Sequence, residues 1–116
     1  IKPLKSLSVI KERLDDIDLI INCTPAGMDT GNIDNINLLA VPDYWSLKDK
    51  FVFDMVYKPY DTKLIKKARA DGAAEVIPGI DMLINQAAFS FKIWFEILPR
   101  ESLLKKIKGE LIKLWI

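Results

Sequence analysis

Apolar positions along this chain change period several times, and the changes mark out its elements. Over residues 4–14, Leu4, Leu7, Ile10 and Leu14 recur at helical spacing among lysine and glutamate, until Asp15, Asp16 and Asp18 break the pattern. Leu19, Ile20 and Ile21 then run without interruption into Asn22, as expected of a strand buried on both faces. Pro25 and Gly27 end that strand in a loop. Residues 29–50 are mixed, with Gly31, Asn32, Asn35 and Asn37 marking turns and Pro42 beginning a loop around Tyr44 and Trp45. A second strand, aromatic and β-branched, is predicted over residues 51–56 and stops at Pro59.

Asp61 or Thr62 is placed to cap a helix reaching about Ala70, with Leu64, Ile65 and Ala68 inward and Gly72 as its stop. A short third strand over residues 74–77 closes at Pro78-Gly79. The next helix, about residues 80–97, is apolar nearly all round, which predicts burial on more than one face. After Pro99, a last helix carries Leu103, Leu104, Ile107, Leu111 and Leu114 as a stripe opposite its lysines. Strands alternating with helices argue for an α/β fold with a parallel sheet and right-handed crossovers. Such sheets bind ligands outside the carboxyl ends of their strands. The loops at Thr24-Pro25-Ala26-Gly27, Tyr57-Lys58-Pro59 and Pro78-Gly79 all fall there.

Composition narrows the chemistry. The 116 residues are of single-domain size, half of them apolar, with a formal net charge of +1. That balance excludes a disordered chain and predicts no strong field for nucleic acid or anionic membrane. Lys105, Lys106, Lys108 and Lys113 read as the wet face of the last helix. Cys23 is the single cysteine, so no intrachain disulfide is available, and a cytoplasmic setting is expected. No apolar run approaches the ~20 residues of a membrane span, and nothing resembles a signal peptide. Asn22-Cys23-Thr24 fits a glycosylation sequon but reads as a strand end. The sequence has no histidine, which removes the usual general base and the usual metal ligand.

The candidate site residues each have a plain structural alternative. Asn22 and Thr24 either touch a ligand or merely stabilise the turn they begin. Gly27 permits a positive φ or a close backbone approach. Tyr57, just past a strand, either donates from the sheet's rim or is a part-buried ring with a wet tip. Gln86 is polar in a helix built for burial, where an unpaired amide costs about 1–3 kcal/mol, so a partner is expected, ligand or backbone. Met55 and Met82 shape an apolar wall. Asp54 and Asp81 sit at element ends, where Asp caps or turns, and Cys23 has no partner that would activate it.

Three motifs at these positions resemble the shikimate dehydrogenase family. A strand ends in Asn22-Cys23-Thr24-Pro25-Ala26-Gly27-Met28; a second carries Asp54-Met55-Val56-Tyr57-Lys58-Pro59. A helix opens at Gly79 with Met82, Leu83, Gln86 and Ala87, then continues to Phe91 and Trp94. Their order and spacing agree with the family over about residues 4–115. The resemblance implies reversible hydride transfer between NADP and the 3-dehydroshikimate/shikimate pair, in aromatic amino acid biosynthesis. It assigns Tyr57 and Gln86 to substrate, the carbonyls of Met55 and Gly79 to the nicotinamide carboxamide, Met82 to the nicotinamide ring, and Thr24 to the floor of the cofactor cleft.

The same resemblance implies what is missing. The family's catalytic lysine and aspartate lie in an amino-terminal substrate domain, and no glycine-rich phosphate loop occurs in these residues. The chain is therefore expected to be the carboxy-terminal half of a Rossmann-type domain, its strands being roughly the fourth to sixth, followed by carboxy-terminal helices. A start at Ile1 fits truncation. Alone it is expected to be inactive, to expose a strand edge at residues 18–24, and to form a homodimer or join its missing half. A non-catalytic assembly or binding module, and a quinate/shikimate enzyme, are the competing readings.

Overall fold

The computed structural model describes residue 10 and residues 14–115. The helix expected over residues 4–14 lies outside the described residues except at its last position and Ile10. Three parallel strands form one sheet in the order β1-β2-β3: β1 (Leu19–Asn22), β2 (Phe51–Asp54) and β3 (Glu75–Ile77). Leu19 pairs with Phe51 and Asn22 with Asp54 on one side of β2, and Phe51 with Glu75 and Phe53 with Ile77 on the other. This is the α/β fold expected from the alternation of strand and helix, and the central strand is the most protected. Val52 is fully buried and packs with Leu47, Leu64, Ala68 and Trp45.

Between β1 and β2 a single helical turn, α1 (Ile33–Ile36), is capped by Asn32. The sequence showed only turns there, because four residues are too few to display a period. Helix α2 (Lys63–Asp71) links β2 to β3 and begins where Thr62 accepts a hydrogen bond from the Ile65 amide. Gly72 stops it in the left-handed conformation, which costs glycine little. The Lys50 ammonium donates to the carbonyls of Leu14 and Ile17 at 2.8 Å each, tying the turn at residues 14–16 to the sheet.

Helices α3 (Gly79–Phe95) and α4 (Glu101–Trp115) pack chiefly on each other. The radius of gyration is 16.0 Å, above the ~13 Å of a compact domain of this length.

Three burial expectations are corrected. Strand β1 was expected to be covered on both faces, yet Leu19 and Ile21 are about half exposed; the exposed edge expected at residues 18–24 is present, since among the described residues β1 has a neighbour on one side only. On α3 only Gly79, Ile80, Ile84 and Ala88 are buried, while Phe89, Phe91, Ile93, Trp94 and Phe95 face solvent. On α4 Lys108, expected on the wet face, is partly covered together with Leu104, Gly109, Leu111, Ile112 and Trp115, so the inward stripe is rotated from the apolar one, of which Leu103, Ile107 and Leu114 are exposed. The common cause is that no described element covers these surfaces.

Candidate functional site at the carboxyl edge of the sheet

The parallel register brings the carboxyl ends of all three strands to one edge, and a buried polar network fixes the loops there. The Asp54 carboxylate is completely buried. Its Oδ1 accepts from the Asn22 side-chain amide at 2.9 Å and the Val56 amide at 3.0 Å, and its Oδ2 from the Thr62 hydroxyl at 2.5 Å. Thr62 in turn caps α2, so one carboxylate ties β1, β2 and a helix start together. Asn22 accepts from the Thr24 amide and hydroxyl at 3.0 and 2.7 Å, and donates to the Ala26 carbonyl. Asn22 and Asp54 are thus turn and cap residues, the structural alternative weighed for them above.

Farther along the first loop, Gly27 takes φ +88° and lies against Thr62. The Asn35 side chain donates to the carbonyls of Pro25 and Met28 at 2.9 and 2.7 Å. Asn35 was legible only as a turn residue; its partners lie up to ten positions upstream, and no local pattern reveals them. The Asp29 amide donates to the Lys58 carbonyl at 2.9 Å and its carboxylate pairs with the Lys58 ammonium at 3.3 Å, joining the first loop to the second. The hydrogen bond from the Gly31 amide, then the Lys58 ammonium, hold the Asp29 carboxyl below its ordinary pKa.

Against this shelf the sequence-predicted residues fall as follows. Thr24 lies in the first loop; Met55 follows β2 directly and Tyr57 lies two residues farther on; Gly79 is the first residue of α3, with Met82 and Gln86 at one-turn steps along the same helix face. Gly79 is present because nothing larger fits: a Cβ there would stand 2.6 Å from the Val56 carbonyl oxygen and 2.7 Å from that of Met55. The absence of that atom seats the start of α3 directly on the end of β2. Gln86 departs from expectation, being exposed rather than buried, so its amide needs no protein partner and has none among the described residues. Tyr57 is 41 % exposed, and its hydroxyl likewise has no partner among the described residues.

Sequence reasoning missed two residues of α4 that reach this edge. Lys108 pairs with Asp81 in the first turn of α3. Trp115 lies against Tyr57, ring centroids 5.5 Å apart and planes at 41°.

Comparison with known proteins bears on the family and the fold. Residues 79–106 match the model of the "Shikimate 5'-dehydrogenase C-terminal domain". The chain is 39% identical over 114 residues to the NADP(+) shikimate dehydrogenase of Staphylococcus epidermidis, covering 91% of this chain and 39% of that protein. It belongs to the shikimate dehydrogenase family, in its carboxy-terminal region. A shikimate dehydrogenase solved in complex with NADP+ superposes with a TM-score of 0.73 at 37% identity, over 85% of this chain and 33% of that one. Quinate dehydrogenase from Corynebacterium glutamicum, solved with NAD, superposes with a TM-score of 0.73 at 28% identity, over 92% and 35%. The chain thus spans about two fifths of the length of the curated relative it matches.

The family's cofactor can be tested against the residues present. Met55 is partly exposed and Met82 half-buried on the same edge, with the end of β2 and the start of α3 in contact through Gly79. Methionine side chains beside the strand-end carbonyls offer an apolar wall of the kind that suits the nicotinamide end of a dinucleotide. The phosphate end finds no counterpart, since the five glycines, at 27, 31, 72, 79 and 109, never fall close enough to form a phosphate-cradling loop. Among the described residues no cluster suited to a metal ion occurs, and no helix is long and apolar enough to cross a membrane.

Proposed function

We propose that this chain supplies the carboxy-terminal share of an NADP-dependent shikimate dehydrogenase, interconverting 3-dehydroshikimate and shikimate in the cytoplasm. One observation carries the reading: Tyr57 and Gln86, both exposed and both without a hydrogen-bond partner among the described residues, flank the edge where Thr24, Met55, Gly79 and Met82 gather. Bound NADP supplies the hydride acceptor for shikimate oxidation. The Tyr57 phenol donates to the substrate's carboxylate or a ring hydroxyl, and the Gln86 amide bonds a second hydroxyl. The carbonyls of Met55 and Gly79 accept from the carboxamide, while Met82 packs on the ring and keeps water from it. Thr24 lines the cleft floor. The chain's own residues bind and orient; the proton-transferring groups belong to the family's amino-terminal domain.

The reading includes a partner. Among the described residues the outer edge of β1 is unpaired, and beside it runs a groove of about 420 Å³ lined by Leu19, Ile21, Thr24, Val41 and Trp45. The Trp45 indole N–H is buried there without a partner among the described residues. A strand added at this edge, from an amino-terminal half or a second copy of the chain, pairs the edge and brings carbonyls toward that indole.

The test is NADPH formation from shikimate and NADP, by the chain alone and mixed with a separately made amino-terminal half of a family member. Activity only in the mixture is the expected result. No activity in either, from material shown to be folded, favours a non-catalytic binding module. Quinate with NAD in the same mixture tests the second reading, which the quinate dehydrogenase likeness favours.

A further inference from the structure

We propose that Trp115, at the far end of α4, is a positioning residue that sets the orientation of Tyr57 for substrate. This rests on the role given to Tyr57 above. Tyr57 lies three residues past β2, its ring part-covered at the rim, and its hydroxyl has no partner among the described residues, so no hydrogen bond fixes it. Among the described residues its ring partner is the Trp115 indole, in a tilted contact at 5.5 Å. Such a contact restrains a ring without occupying the hydroxyl.

The placement of Trp115 is itself held. The ion pair between Lys108 and Asp81 fastens α4 to the first turn of α3, where Gly79 and Met82 lie. Lys108 and Trp115 are seven residues apart on one face of α4. One helix therefore grips the cofactor side of the edge through Lys108 and the substrate side through Trp115. The rotation of the inward stripe of α4, which leaves Leu103, Ile107 and Leu114 to solvent, is what turns both residues to this edge.

The test has two arms. In proton spectra of this chain, the Tyr57 ring resonances, assigned by their loss in Tyr57→Phe, are displaced by the indole; they are expected to move toward free-tyrosine positions in Trp115→Leu and to stay displaced in Trp115→Phe. In the two-part assay, Trp115→Leu is expected to raise the KM for shikimate about 3- to 10-fold, by an amount on the order of one aromatic contact. The KM for NADP is expected to be unchanged and kcat to change by less than about 2-fold, with Trp115→Phe restoring most of the loss. An unchanged shikimate KM in Trp115→Leu, where Tyr57→Phe raises it, overturns the positioning role and leaves the role of Tyr57 standing. An unchanged KM in Tyr57→Phe overturns both.

Discussion

Asp54 and Trp94 stand at opposite extremes of this molecule. Asp54, at the end of the central strand, is wholly buried, and its carboxylate takes three hydrogen bonds from three different segments. Trp94, on α3, is 73% exposed. A burial-by-polarity rule inverts both. The difference is one of completeness: at the carboxyl edge every donor that meets Asp54 comes from within the described chain, so a charge can be held away from water. The α3–α4 hairpin has no surface of its own to cover its aromatic side. The edge that carries the proposed site is thus finished, whereas the helices beside it present an apolar face larger than isolated surface residues would.

The sharpest way to break this contrast is Asp54→Ala. It strands the Asn22 amide, the Thr62 hydroxyl and the Val56 N–H, each left without its buried acceptor. At about 1–3 kcal/mol for each unsatisfied group, the expected loss is at least about 3 kcal/mol, enough to unfold a marginal domain. Urea unfolding reads it directly, and a loss below about 1 kcal/mol would mean that the network is not what holds the edge. Gly79→Ala comes next. Its methyl meets two backbone oxygens that cannot rotate away, so α3 must lift from β2 at a cost of about 1–3 kcal/mol. Because the lift moves the first turn of α3, with Gly79 and Met82, away from the end of β2, NADP binding in the two-part assay should weaken more than shikimate binding does.

The finished region was also the legible one. The carboxyl ends of β1 and β3, a cap at Asp61 or Thr62 and the stop at Gly72 were readable, because each depends on a residue's own backbone preference or on neighbours within four positions. Strand β2, by contrast, ends at Asp54, two residues before the expected Val56. The gathering of Thr24, Met55, Tyr57 and Gly79 at one edge followed from the strand–helix alternation. Burial was not legible in the same way. Leu19 and Ile21 read as two-sided core, and the apolar girdle of α3 as buried, since hydrophobicity states what a residue would bury against without stating that the surface exists. The aromatic–aromatic contact of Tyr57 with Trp115 joins residues far apart in sequence and leaves no local signal.

A smaller effect sharpens the contrast from the well-packed side. Burial pushes the Asp71 carboxyl up, but the Leu47 N–H at 2.9 Å and the Lys67 ammonium at 3.0 Å outweigh it and hold the pKa below the ordinary value. A lowered folded pKa contributes stability that is complete above the unfolded value, about 3.9, and is lost as pH falls through the folded one. Asp71→Asn should therefore cost on the order of 1 kcal/mol or less near neutrality, and the cost should shrink in acid, as pH falls through the lowered folded pKa and the wild-type carboxyl takes up its proton. The urea midpoints of the two proteins, compared near neutrality and in acid, decide it. A gap that does not shrink in acid would assign the effect to packing at Leu47 rather than to charge.

The smallest expected change in stability comes from the open side. Trp94→Gln alters a side chain that is mostly in water, so unfolding should move by no more than about 0.5 kcal/mol. Its association should change more than its fold. The indole belongs to a run of exposed aromatics with Phe91 and Phe95, whose rings lie 4.6 Å apart, and such a face drives self-association in proportion to the apolar area it offers. Sedimentation across a concentration series should therefore show Trp94→Gln shifted toward the smaller species at equal loading. The same substitution in the two-part assay separates the possible coverings. Weaker complementation would place the amino-terminal half over Trp94, whereas unchanged complementation with reduced self-association would mean that a second copy of this chain uses that face. A stability loss above about 1 kcal/mol would break the contrast itself, since an indole left to solvent has too little contact to lose that much.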